Sequence, residues 1–303
     1  LSLILALTMV LGILPAAFFA EDGETPAMSG SCGENATWSY DADTKTLTIS
    51  GTGATNDYGM GFDYAPPYAD SAKYPIVHFV VAEGITKLGA YSLYSFDRSA
   101  GSEDYVNKTV TDIQLPDSLT EIGSEAICRH AALKSITFPK GMTSFNTSWK
   151  TFGNCAALEE IKFEGAVTEL GQVYRYCKGL KSITIPDTVT SIVDWAFQGC
   201  SQITEVTFPD SVTSIGSSIF SECPALTKVT LPSKLESLGN GALQLCKGLT
   251  ELTLPDTLTT IGAYAFSGCT GIQELVIPAS VTAIGNSAFS RWTSAQTIRF
   301  PWK

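Results

Sequence analysis

Six of the eight cysteines in this chain, Cys155, Cys177, Cys200, Cys223, Cys246 and Cys269, stand 22 or 23 residues apart. A thiol can hold zinc, act as a nucleophile or join a disulfide, and each use needs particular company. Zinc sites draw paired ligands with a few residues between them, and this evenly spread column offers no such pair. Nucleophilic work needs a base, yet there are two histidines only. His78 falls at an outward strand position, and His130 takes the cysteine's place in the column, where it reads as a packed core residue. HExxH, GxSxG and phosphate-binding glycine loops are absent. The residues therefore predict no enzyme, no cofactor and no metal. Two uses of the column stay open: buried thiols packing as small hydrophobes, or bridges between neighbouring turns of an exported protein. Cys32 and Cys128 lie off the column and are the first candidates for an oxidised pair.

What sets a cysteine at this spacing is a repeat. The unit 180–202, LKSITIPDTVTSIVDWAFQGCSQ, carries its apolar residues at Leu180, Ile183, Ile185, Val189, Ile192, Ala196, Phe197 and Cys200. Copies begin at Val110, Leu133, Leu158, Leu180, Ile203, Leu226, Leu249, Ile272 and Ala295. Counting each 23-residue copy from its first residue, the cysteines occupy position 21; Cys155 and Cys177 take the same place in copies that are two residues longer and one shorter. A period in this range predicts a solenoid, because one unit cannot bury its apolar side alone and must stack on its neighbours.

Each unit divides into short elements. Residues 182–185 alternate Ser and Thr with Ile, which predicts a strand with one face buried, and Pro186 ends it by lacking a ladder donor. Residues 189–192 form a second extended piece. Glycine at position 14, as in Gly216, Gly239, Gly262 and Gly285, is expected to turn the chain, and the Ala-Phe-x-x-Cys piece to make a short helical turn. Stacked, these units give a right-handed coil with a parallel sheet on one side and the helical turns opposite.

The ends differ from the repeats. Residues 1–20 are almost wholly apolar and run into an acidic stretch, the pattern of a secretory signal peptide; its basic n-region is missing, so the leader is expected to be truncated. Residues 21–75 form an N-terminal module whose hairpin, with a turn around Asp41 and Asp43, is expected to cap the first repeat. The solenoid then runs over 76–303, with a degenerate first repeat, an insertion at 96–108 and an incomplete last repeat. A net charge of −11 and a pI of about 4.6 argue against nucleic acid and anionic membranes as partners, and without the leader no segment is long and apolar enough to span a bilayer.

The pattern L..I.(I/F/L)P..(V/L)T.IG..AF..C resembles the BspA-like leucine-rich repeat family, and SGSCGENATWSYD…TLTISGTG resembles the module that precedes such repeats there. The resemblance implies a leucine-rich repeat solenoid in a secreted or cell-surface bacterial protein, with adhesion to, or recognition of, host matrix proteins, glycans or other cells. It carries no motif for a fixed ligand.

Two surfaces are candidates for that contact. Departures from the pattern gather near the N-terminal end: Trp149 in two extra residues, and Tyr174, Arg175 and Tyr176 in VYRYC, where other copies read AF..C. Aromatic residues and Arg dominate binding hot spots, though drifted repeats with the rings tucked into the core would read the same way. The second is the strand face, with Glu205, Glu251 and Glu274 at position 3 and Thr207, Thr230 and Thr253 at position 5, suited to a basic protein or a glycan. The expected function is recognition of an extracellular protein or glycan; the alternative is a structural spacer or targeting arm of a larger secreted protein.

Overall fold

The computed structural model of the chain describes residues 28–59, 66–95, 106–143, 145, 151–293 and 296–300. The expected leader, Trp149, and most of the 96–108 insertion lie outside them.

Strand alternation is obeyed residue by residue. Glu205–Thr207 and Lys228–Thr230 each expose their outer residues and bury the central valine. Equivalent strands pair in parallel one repeat apart, Glu205 opposite Lys228, Lys228 opposite Glu251, and Glu274 opposite Thr297. A second set of two-residue strands stacks likewise, Ser191 opposite Ser214 and Thr260 opposite Ala283. In-register parallel pairing turns each repeat position into a column. The result is a strand-rich leucine-rich repeat fold with almost no helix. One expected strand is nearly lost: of 182–185 only an isolated bridge between Ser182 and Glu205 remains, and this break follows the unit that is one residue short.

The Ala-Phe-x-x-Cys piece is not helical. A helix would return its N–H groups to its own preceding turn, whereas here those of Trp195, Phe197 and Gly199 reach forward to the carbonyls of Ser217, Ile219 and Ser221 in the next repeat at 2.9, 3.0 and 2.9 Å. The same three bonds recur from Ser218, Phe220 and Glu222. Positions 16 and 20 accordingly sit in the left-handed region, with φ of 61° at Trp195, 54° at Ser218, 60° at Tyr176 and 65° at Glu222. Among the described residues the single helix is a 3-10 turn at Gln172–Tyr174.

Where position 14 is glycine it serves closeness rather than turning, although the unit 180–202 carries Val193 there. A Cβ on Gly262 would stand 2.6 Å from the backbone nitrogen of Asn240, and one on Gly239 2.7 Å from the carbonyl oxygen of Gly216. Between the two ladders, position 18 stacks rings along the core: Tyr174 on Phe197 at 4.9 Å, and Phe197 on Phe220 at 5.1 Å.

At the N-terminal end Ala36–Asp41 and Thr46–Gly51 form an antiparallel hairpin. The carboxylate of Asp41 accepts the amides of Asp43 and Thr44 at 2.9 and 3.3 Å, and these bonds hold its pKa below the usual range. Thr46–Gly51 then pairs in parallel with His78–Val81, so the hairpin shares a sheet with the first repeat.

Candidate functional site

The position 21 column is a run of donors aimed at backbone carbonyls. Cys200 Sγ lies 3.0 Å from the carbonyl oxygen of Tyr174, Cys223 3.2 Å from that of Phe197, Cys246 3.0 Å from that of Phe220 and Cys269 2.9 Å from that of Leu243. Cys155 reaches Ile127 at 3.3 Å, and Cys177 meets Phe152 at a looser 3.9 Å. At the two ends, stronger donors take over: His130 Nε2 meets Leu93 at 2.9 Å and Trp292 Nε1 meets Phe266 at 2.8 Å. Each accepting carbonyl belongs to position 18 or its equivalent in the preceding repeat, a ring-bearing position in Phe152, Tyr174, Phe197, Phe220 and Phe266 and aliphatic in Leu93, Ile127 and Leu243. All eight cysteines, Cys32 and Cys128 included, are free and buried.

Burial pushes the thiols of Cys155, Cys223 and Cys269 up to about 12. A thiol held neutral is neither a nucleophile nor a metal ligand. Burial likewise depresses His130 to about 4. Since a carbonyl only accepts, Nε2 carries the proton, and Nδ1 is left buried without a partner.

On the strand face, Thr207, Thr230 and Thr253 are exposed and directly opposite one another. The acidic column beside them is partly neutralised: Glu251 is bound by Lys228 at 3.1 Å and Glu274 by Arg299 at 2.6 Å. One repeat beyond Thr253, Val276 is 52% exposed and borders a shallow hollow of about 380 Å³ lined also by Leu252, Thr253, Leu254 and Pro278 and by the carboxylates of Asp256 and Glu274.

In the turn segment, Tyr174 is 1% exposed and belongs to the core, so it is withdrawn as a contact residue. Arg175 and Tyr176 are half-buried. The Arg175 guanidinium carbon stands 5.2 Å from the ring centre of Tyr176 and 5.5 Å from that of Trp195, while Nε binds the amide oxygen of Gln198 at 2.9 Å and Nη1 that of Gln172 at 3.4 Å.

A family model described as the BspA type leucine rich repeat region matches residues 98–174 and 171–296 in six copies. The chain belongs to the BspA type leucine-rich repeat family. A leucine rich repeat protein of T. pallidum is 20% identical, with 78% of this chain and 86% of that one covered and a TM-score of 0.50; the likeness shows the fold. A leucine rich cell surface protein of Faecalibacterium prausnitzii A2-165 is 22% identical over 91% of this chain and 96% of that one, TM-score 0.42. The pneumococcal vaccine antigen PcpA is 15% identical over 84% of this chain and 78% of that one, TM-score 0.49. No curated protein matches.

In the BspA type register VYRYC is itself a copy of AF..C, with Tyr174 in the phenylalanine slot and Cys177 in the cysteine slot. The residue that this unit lacks is the one at position 16, which is where the chain tightens into the 3-10 turn. Trp195, at position 16, is an exposed aromatic beside Arg175 that the sequence candidates omit; the position holds Glu125, Ser218, Gly241, Tyr264 and Ser287 in other copies.

Proposed function

We propose that this chain is a secreted or cell-surface recognition protein, a right-handed solenoid whose strand face docks an extracellular protein, with the N-terminal hairpin capping the first repeat. The observation that carries the reading is the exposed row Thr207, Thr230 and Thr253 ending at Val276 and its hollow. Val276 gains by losing water, the threonine hydroxyls can exchange water for hydrogen bonds to a partner, and the neighbouring carboxylates of Glu251 and Glu274 already have cations, so the face is suited to burial under a polar partner surface. Membership of the BspA type family and the apolar stretch 1–20 support the location. No described helix is long and apolar enough to cross a membrane.

The test is surface plasmon resonance of the purified chain against immobilised extracellular matrix proteins. Saturable binding that weakens tenfold or more in Thr230→Arg, a change placed at the centre of the row, supports the reading. Absence of binding by a folded sample rejects it in favour of the spacer.

A further inference from the structure

Arg175 is the cation of this surface with aromatic rings on two sides and no carboxylate partner among the described residues. Its partners are two amide oxygens and two ring faces, which fix the guanidinium plane without neutralising it. A guanidinium has five N–H donors. Two are engaged by Gln198 and Gln172, so both hydrogens on Nη2 and one on Nη1 stay available, the arrangement that receives a carboxylate end-on through two parallel bonds.

The rings flanking this fork are not required by the fold. Tyr176 and Trp195 hold φ of 60° and 61°, a backbone conformation disfavoured for bulky side chains, at positions where other repeats carry anything from glycine or serine to Glu222, Leu245, Tyr264 and Arg291, so neither position demands an aromatic ring. Trp195 nevertheless leaves 38% of its surface in solvent. Tyr176 is laid flat by its neighbour: a Cβ on Gly199, itself at φ +72°, would overlap the ring. The exposed indole of Trp195 beside an unneutralised, donor-rich cation suits both halves of an acidic sugar, its apolar C–H face for stacking and its carboxylate for the fork.

We propose that Arg175, Tyr176 and Trp195 form a subsite for a carboxylate-bearing pyranose unit of a glycan, separate from the strand face. Arg175 takes the carboxylate, the exposed Trp195 takes the sugar's apolar face, and Gln172, Gln198, Gly199 and Tyr176, the last packed between Gly199 and the guanidinium, are positioning residues.

Calorimetry of the purified chain with tri-galacturonic acid and with 3′-sialyllactose tests this, the neutral partners being methyl-esterified tri-galacturonate and lactose. Binding of at least one acid is expected, at least tenfold tighter than its neutral counterpart, and the two arms tell a uronate from a sialate. Arg175→Gln should weaken it about 10- to 100-fold, the range of charge-assisted hydrogen bonds, and Arg175→Lys at least tenfold because a point charge lacks the fork. Trp195→Ser and Tyr176→Gly copy residues that the fold already uses at those positions; each should keep a single cooperative melting transition and weaken binding. Thr230→Arg should leave sugar binding unchanged, which separates failure here from failure of the strand-face reading. No acid bound by the folded chain, equal affinity for the neutral sugars, or undiminished binding by Arg175→Gln would overturn the proposal.

Discussion

Cys200 Sγ lies 3.0 Å from the carbonyl oxygen of Tyr174, twenty-six residues earlier and one repeat below. The same contact carried by Cys223, Cys246 and Cys269 explains why the column is cysteine. The site needs a small apolar side chain that still donates, and the flanking His130 and Trp292 replace it with other donors.

Cys200→Ala should therefore destabilise the chain by about 2–3 kcal/mol, combining a small cavity with a buried carbonyl left unpaired, while Cys200→Ser should cost less because it keeps a donor. Urea denaturation of both variants checks the order. A thiol reagent should modify none of the six column cysteines in the folded chain at pH 8; rapid labelling under native conditions would contradict the buried assignment.

His130 predicts an acid-side loss of stability. Its folded pKa of about 4 lies below the unfolded value near 6.5, so the unfolded state binds more protons between these pH values, and stability present above pH 6.5 is lost as pH falls through 4. The loss at pH 4 should be roughly 3 kcal/mol. His130→Cys, the residue of the next six repeats, should remove that part of the pH dependence. Denaturation midpoints at pH 7, 5 and 4 for the two proteins measure it.

The left-handed positions predict stabilisation by glycine. Glu222 is exposed with φ of 65°; relieving a cost of about 1–2 kcal/mol against about 0.4–1 kcal/mol of added unfolded-state entropy leaves Glu222→Gly more stable by about 0.5–1 kcal/mol. Gly268→Ala should go the other way, since its φ is +75° and a Cβ would stand 2.9 Å from Leu245 Cδ2. Thermal melts of the pair decide.

Register predicts tolerance to whole-unit deletion. Removing residues 203–225 brings Gln202 to Leu226 and preserves every column, so the shortened chain should keep its strand content, whereas removing 203–213 should unfold the units around the cut. Circular dichroism distinguishes the two.

The repeat period, the strand alternation and the family were legible because each rests on a pattern copied many times. Tyr174 reads as a departure from the pattern only while the one-residue deletion goes uncounted; its spacing to Cys177 matches that of Phe197 to Cys200, and it fills the phenylalanine slot of the core. The turn segment was read as helical because Ala-Phe-x-x-Cys has helical spacing, while its N–H groups go to the next repeat, a tertiary bond that no local pattern reveals. Glycine at position 14 was assigned to a turn for the same reason: the backbone it must clear, at Asn240 or Gly216, is distant in sequence. The pairing of Glu251 with Lys228 needed the register between two strands, which comes only with the stack.

The strand-face claim is tested most directly by hydroxyl-radical footprinting of the chain free and bound to a protein partner found in the binding panel. Reduced oxidation at Val276 on binding, with Tyr264 and Trp195 unchanged, is the predicted result. Unchanged oxidation at Val276 with protection at Tyr264 or Trp195 would contradict it, and would place protein recognition on the turn segment.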